Sequence, residues 1–111
     1  MTTLFHYTNQ AGYEGILKSG VLNPSTVVRN PNDVRYGDGQ YLSDVKPKTK
    51  TSAQFSRLFL GHPFQGKKYT HYIEIDVIDL TILEGRPHIF VVRNDKALDL
   101  TGRIVSSGKI G

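Results

Sequence analysis

Apolar and polar residues alternate most clearly over residues 69–83, where Ile73, Ile75 and Val77 fall on one face and Tyr72, Glu74 and Asp76 on the other. A period of two predicts a strand, with the polar face solvated. Near the start, residues 4–8, Leu-Phe-His-Tyr-Thr, are aromatic and β-branched enough for a short strand from which His6 projects. Asn9 then offers an N-cap, Tyr13, Ile16 and Leu17 recur at helical spacing, and Gly20 is a stop signal, so a helix of about ten residues is expected. Gly12 and Gly15 each weaken that helix by about 1 kcal/mol relative to Ala, so packing must hold it, and glycine there permits close backbone approach.

Residues 23–39 are rich in Pro, Asn, Asp and Gly, which predicts a long irregular connection with a tight turn at Gly37-Asp38-Gly39. A strand is expected over 40–45, then the basic stretch Lys46-Pro47-Lys48-Thr49-Lys50. Thr51 or Ser52 can cap a second helix whose apolar stripe is Phe55, Leu58 and Phe59, ended by Gly61 and Pro63. After a turn at 85–87, short strands are expected over 89–92, 97–100 and 103–106. Two short helices in a strand-dominated order predict an α+β fold with mostly antiparallel pairing.

A length of 111 residues with 38% apolar content suits one modest core, so residues 1–111 read as a single domain. The absence of cysteine excludes disulfides and Cys-based zinc sites, and the four histidines, at 6, 62, 71 and 88, lack paired-ligand spacing, so no metal is expected. A net charge of +4 suits a polyanionic ligand such as a dinucleotide or RNA without requiring one. No stretch approaches the roughly 20 apolar residues of a membrane span, and the N-terminus carries no basic segment followed by an apolar one, so the chain is expected to be soluble.

The order of parts resembles the ADP-ribosyltransferase fold of the diphtheria-toxin and poly(ADP-ribose) polymerase kind: a strand with His6, a helix, a Gly-x-Tyr strand, a second helix, then several strands. Residues 39–44, Gly-Gln-Tyr-Leu-Ser-Asp, look like that group's Gly-x-Tyr-Phe-Ala-Asp segment, and 51–55, Thr-Ser-Ala-Gln-Phe, like the start of its following helix. More closely, Phe5-His6-Tyr7-Thr8-Asn9, the block Tyr36-Gly-Asp-Gly-Gln-Tyr-Leu-Ser-Asp44 and residues 98–105, Leu-Asp-Leu-Thr-Gly-Arg-Ile-Val, resemble a bacterial toxin branch named for a His-Tyr-Asp signature. The block around Tyr41 is the most specific of the three.

The resemblance implies a split β-sandwich around an NAD cleft, with NAD as co-substrate and His6, Tyr41 and Asp99 as the catalytic set. It also implies NAD contacts from Tyr7, Thr8, Gly39, Ser43 and Phe55. Two departures stand out. The polymerases have Gly where this chain has Tyr7, and their catalytic Glu aligns near Pro87 or His88, where this chain has no acid, so the closer branch supplies Asp99 instead.

NAD carries nicotinamide as a cationic leaving group, so its cleavage passes through an oxocarbenium-like state. Little acid catalysis is needed; the enzyme must hold the nicotinamide, fix the ribose and set a carboxylate where positive charge develops. The Tyr41 ring suits stacking on the pyridinium. By resemblance His6 bonds the adenosine ribose, Asp99 supplies the carboxylate, and Ser43 bonds the nicotinamide amide or ribose. Arg29, Arg35, Lys46 and Arg103 are candidates for the pyrophosphate.

Plainer readings stand beside each of these. Tyr41 suits a core tyrosine, Gly37-Asp38-Gly39 an ordinary turn, Asp99 before Thr-Gly a turn former, and Lys46, Lys48 and Lys50 a solubilised loop. What they leave unexplained is the three motifs in one order. The expected function is therefore an ADP-ribosyltransferase toxin domain that cleaves NAD and modifies a macromolecule, most readily a protein, in the cytoplasm of a target cell. It would be exported as part of a larger effector, with an immunity protein covering the cleft. The alternatives are an NAD glycohydrolase, a basic metal-free ribonuclease using His6 and His71, and a non-catalytic nucleotide- or RNA-binding module.

Overall fold

The computed structural model describes residues 2–24, 39–51, 53–55, 57, 69–85, 88–93 and 96–110. The alternation over residues 69–83 becomes a central strand, β4 (His71–Asp76), flanked antiparallel by β1 (Thr3–Thr8) and β8 (Ile104–Lys109). Ile73 and Ile75 are fully buried, and Val77 beyond them nearly so. The strand stops at Asp76 rather than running to residue 83. Asp76 Oδ1 accepts from the Ile78 N–H at 3.1 Å and the Leu80 N–H donates to the Val77 carbonyl at 3.0 Å, which turns the chain out of the sheet.

The opposite face of β4 is half-buried rather than solvated. Thr3 Oγ1 donates to Glu74 Oε2 at 2.6 Å, Ser106 Oγ donates to Glu74 Oε1 at 2.8 Å, and Tyr72 packs edge-on against Phe5. Cross-strand pairing thus satisfies the carboxylate where the sequence suggested water.

Helix α1 (Gln10–Ser19) follows β1 within its expected limits. Asn9 Oδ1 accepts from the Gly12 N–H at 2.8 Å, and Gly20, at φ 74°, returns its N–H to the Ile16 carbonyl at 2.8 Å. Gly12 is there for closeness: a Cβ at that position would stand 2.2 Å from Thr8 Oγ1. A second helical segment at residues 53–55 and 57 begins at a capping box. The Thr51 N–H donates to Gln54 Oε1 at 2.8 Å and the Gln54 N–H to Thr51 Oγ1 at 3.2 Å. The expected stripe residues Leu58 and Phe59, and the connection that carries Arg29, Arg35 and Gly37-Asp38, lie outside the described residues.

A second sheet joins β3 (Gly39–Leu42), β6 (Phe90–Arg93) and β5 (Leu83–Glu84) in the order β3-β6-β5. A two-stranded ribbon pairs β2 (Val21–Leu22) with β7 (Leu98–Asp99). β2 was hidden in the sequence because two residues after a helix stop carry no period. The larger core lies between the sheets and the ribbon, with Leu4, Ile73 and Ile75 from the first sheet, Leu42 and Val92 from the second and Leu22 and Leu98 from the ribbon. Tyr13 and Ile16 of α1 close one side of it. On the other face of the first sheet a smaller core gathers Phe5, Tyr7, Phe55 and Ile110. The fold is α+β with antiparallel strands throughout the described ladders, as the sequence order predicts.

Candidate active site

β1 and β3 belong to different sheets, yet one antiparallel bridge clasps them. Phe5 and Ser43 exchange main-chain hydrogen bonds of 2.8 Å in both directions. One residue further along β1, the expected ladder gives way to a side chain: His6 Nδ1 lies 3.1 Å from the Tyr41 carbonyl oxygen. A carbonyl only accepts, so Nδ1 carries the hydrogen and Nε2 of the neutral ring is left as an acceptor. Burial pushes the His6 pKa below its ordinary value and so keeps the ring neutral near pH 7, although the Tyr41 carbonyl partly opposes it. The two residues that weighed most in the sequence are thus in direct contact, both half-buried where the strands part.

The neighbouring candidates take up supporting positions. Ser43 is 1% exposed, and its Oγ accepts from the Val45 N–H at 3.1 Å, so it shapes the strand end. Tyr7 turns its ring into the smaller core, 4.2 Å centroid to centroid from Phe55, and donates its hydroxyl to the Val45 carbonyl. Burial first, and the neighbouring Tyr72 second, push the Tyr7 hydroxyl's pKa above its ordinary value. Phe55 is 0% exposed, so the ligand contact expected of it is replaced by packing beneath Tyr7. Thr8 packs its hydroxyl on the first turn of α1. Gly39 is required by its own sheet, since a Cβ there would meet the Val92 carbonyl oxygen at 2.3 Å.

Asp99 is carried by the β2–β7 ribbon, opposite Val21, and not by either sheet that holds His6 and Tyr41. Its Oδ1 accepts from the Thr101 N–H at 2.9 Å, the turn-forming bond of the plainer reading. That bond and a further one from the Thr101 side chain, with the more distant Arg103 charge, hold the carboxyl below its ordinary pKa. Asp99 is therefore ionised and exposed. Arg103, one of the pyrophosphate candidates, is already engaged: Nη1 and Nη2 donate to the two Asp79 oxygens at 2.6 and 3.1 Å, and Nη1 to the Asp76 carbonyl at 3.1 Å.

The histidine pair of the ribonuclease alternative shares one sheet face, since His6 stands opposite Ile73 and His71 opposite Thr8. His71, however, is buried beneath the Tyr13 ring at 4.7 Å, and its Nδ1 is bonded to Thr70 Oγ1 at 2.8 Å. That burial disfavours it as a partner in acid–base chemistry on a polymer.

One contact had no counterpart in the sequence reading. His88 Nδ1 lies 2.7 Å from Asp44 Oδ1, across 44 residues of chain. The signal was present only in combination: strands over 40–45 and 89–92, paired antiparallel, set residues 44 and 88 opposite one another.

The sequence model of a family described as HYD1 signature containing ADP-ribosyltransferase matches residues 4–104 of the chain. No curated protein and no solved structure matches it.

Proposed function

The chain belongs to the HYD1-signature ADP-ribosyltransferase family, a toxin family, and from that premise we propose that residues 1–111 form one domain that binds NAD, cleaves its nicotinamide–ribose bond and transfers ADP-ribose to a macromolecule. The observation that carries this reading is the contact between His6 and the Tyr41 carbonyl at the parting of β1 and β3. It couples a neutral imidazole, with Nε2 as acceptor, to the strand bearing the half-buried ring of Tyr41. A ribose hydroxyl needs such an acceptor, and a cationic ring such an aromatic face, so the donor set fits NAD.

His6 then orients a ribose through Nε2 while its Nδ1–H fixes the ring against β3. Tyr41 supplies the stacking face, and Tyr7 contributes through its main chain, since its side chain belongs to the core. Asp99, ionised and with Oδ2 outside the turn bond, is the proposed carboxylate for developing positive charge. When bound, NAD supplies a cationic leaving group, and the residues need only hold, orient and neutralise. Protein is the proposed class of acceptor, in a target cell, with an immunity protein as the natural partner of such a cleft.

Nicotinamide release from NAD by the purified chain, with and without target-cell lysate, tests the reading directly. Release, together with a mass increment of one ADP-ribose on a lysate macromolecule, is the expected result. Release unaffected by any acceptor would favour hydrolysis, and no release with no shift of melting temperature on adding NAD would sink the reading.

A further inference from the structure

Beyond the residues that hold NAD, the structure contains a second polar pair in which one partner orients the other. Asp44 follows Ser43, the residue clasped to Phe5, two positions beyond the end of the strand that carries Tyr41. The β3–β6 register runs Gly39↔Arg93, Gln40↔Val92, Tyr41↔Val91 and Leu42↔Phe90, which brings the chain just after Leu42 beside the chain just before Phe90. The two side chains meet there, with Nδ1 to Oδ1 at 2.7 Å. An aspartate oxygen accepts, so Nδ1 carries the hydrogen, and in the neutral ring Nε2 is the end that can accept. Both side chains are about half-exposed, at 54% and 45%, so Nε2 is within reach of a ligand.

The backbone marks the same place. His88 adopts φ 71°, the left-handed region that a non-glycine side chain enters only at a cost in strain. A surface ion pair alone contributes little and would not require a strained residue. An imidazole whose Nδ1 is fixed by a carboxylate and whose Nε2 is open is the arrangement of a general base. Its aspartate stands three residues along the chain from Tyr41.

We propose that the Asp44–His88 pair is the base that activates the acceptor in ADP-ribosyl transfer, the acceptor being a hydroxyl of which water is the simplest. This rests on the NAD-cleaving reading given above and adds to it the group that receives the acceptor's proton. The acceptor oxygen bonds to the anomeric carbon as the carbon–nitrogen bond breaks, and the departing electron pair neutralises the nicotinamide ring. The acceptor's proton passes to His88 Nε2 and from there to solvent. Asp44 holds the imidazole in the one tautomer that can accept and stabilises it once charged. The role is distinct from that of Asp99, which faces the sugar's charge rather than the acceptor's proton.

The test uses the whole chain with NAD and water, reading nicotinamide release, KM for NAD and melting temperature. His88→Asn keeps a residue that tolerates the left-handed backbone but cannot take the proton, and a fall in kcat of about 100-fold with KM and melting temperature retained is expected. Asp44→Asn should lower kcat in the same direction by less. His88→Gly also suits the backbone and leaves room for added imidazole, which should restore turnover; a structural pair predicts no such rescue. Equal kcat in wild type and His88→Asn would overturn the assignment alone, as would a loss that imidazole leaves unrestored and a lower melting temperature accompanies. A wild-type chain that releases no nicotinamide with water or with target-cell lysate, and whose melting temperature NAD leaves unchanged, would overturn the NAD-cleaving reading, and the assignment with it.

Discussion

The His6 ring donates its Nδ1 hydrogen to the main-chain carbonyl of Tyr41 at 3.1 Å, so a side chain takes the place of a ladder hydrogen bond where two sheets separate. The contact fixes the tautomer of the neutral ring and its direction together, while burial sets its charge.

Its first consequence concerns pH. The buried ring titrates below 6.5 in the fold and near 6.5 in the unfolded chain, so between those values the unfolded chain holds the extra proton. Stability contributed by the neutral ring is complete above about pH 6.5 and is lost as pH falls through the lowered value. Thermal melts from pH 7.5 downward should show a steeper decline for the wild type than for His6→Gln in that window, and parallel curves would contradict the burial argument.

Tyr41 separates stacking from hydroxyl chemistry. Tyr41→Phe keeps the aromatic face and should turn NAD over within a factor of about three of the wild type, while Tyr41→Ala should raise KM for NAD about tenfold. Equal KM values for the Ala and Phe variants would remove the ring from the ligand's surroundings.

Two substitutions should cost stability for different reasons. Gly39→Ala drives a methyl into the Val92 carbonyl, 2.3 Å from the ideal Cβ, and β3 must shift; a loss of about 1–3 kcal/mol is expected. Thr51→Ala removes one half of the capping box and should cost about 1 kcal/mol. Denaturant titration of both variants measures these, and of the two Gly39→Ala should also reduce nicotinamide release because Tyr41 moves with its strand.

Arg103→Ala should leave KM for NAD unchanged, since its guanidinium is held by Asp79 and the Asp76 carbonyl. A rise in KM would show that the guanidinium leaves these partners for the pyrophosphate. Asp99→Asn removes charge while retaining an oxygen for the Thr101 turn, so it should lower kcat with little change in melting temperature.

Much of this fold was legible because local rules and tertiary packing agreed. α1 has its cap at Asn9 and its stop at Gly20, and β1 and β4 obey the period of two. The reading failed where a local device overrode the period: Asp76 bends the chain out of the sheet although the alternation continues to residue 83. It failed again at β2, whose two residues form a strand only because β7 lies beside them. The pairing of His6 with Tyr41 was legible from motif order. Phe55 was not, because a helical aromatic looks alike in a sequence whether it lines a cleft or, at 0% exposure, props up Tyr7 from behind. The Asp44–His88 contact depends on strand register, which neither residue's own neighbourhood encodes.

The clasp between Phe5 and Ser43 has a mechanical meaning. It is the point about which β1 and β3 diverge, and each of those strands is anchored in its own sheet with its own neighbours. The angle between the two strands is therefore set by how well both cores are filled. A small cavity made at Ile73 or Val92 would reach the site as a change of gape rather than as a missing group. Variants of that kind should keep every signature residue and still lose turnover, and second-site changes that refill the volume should restore it.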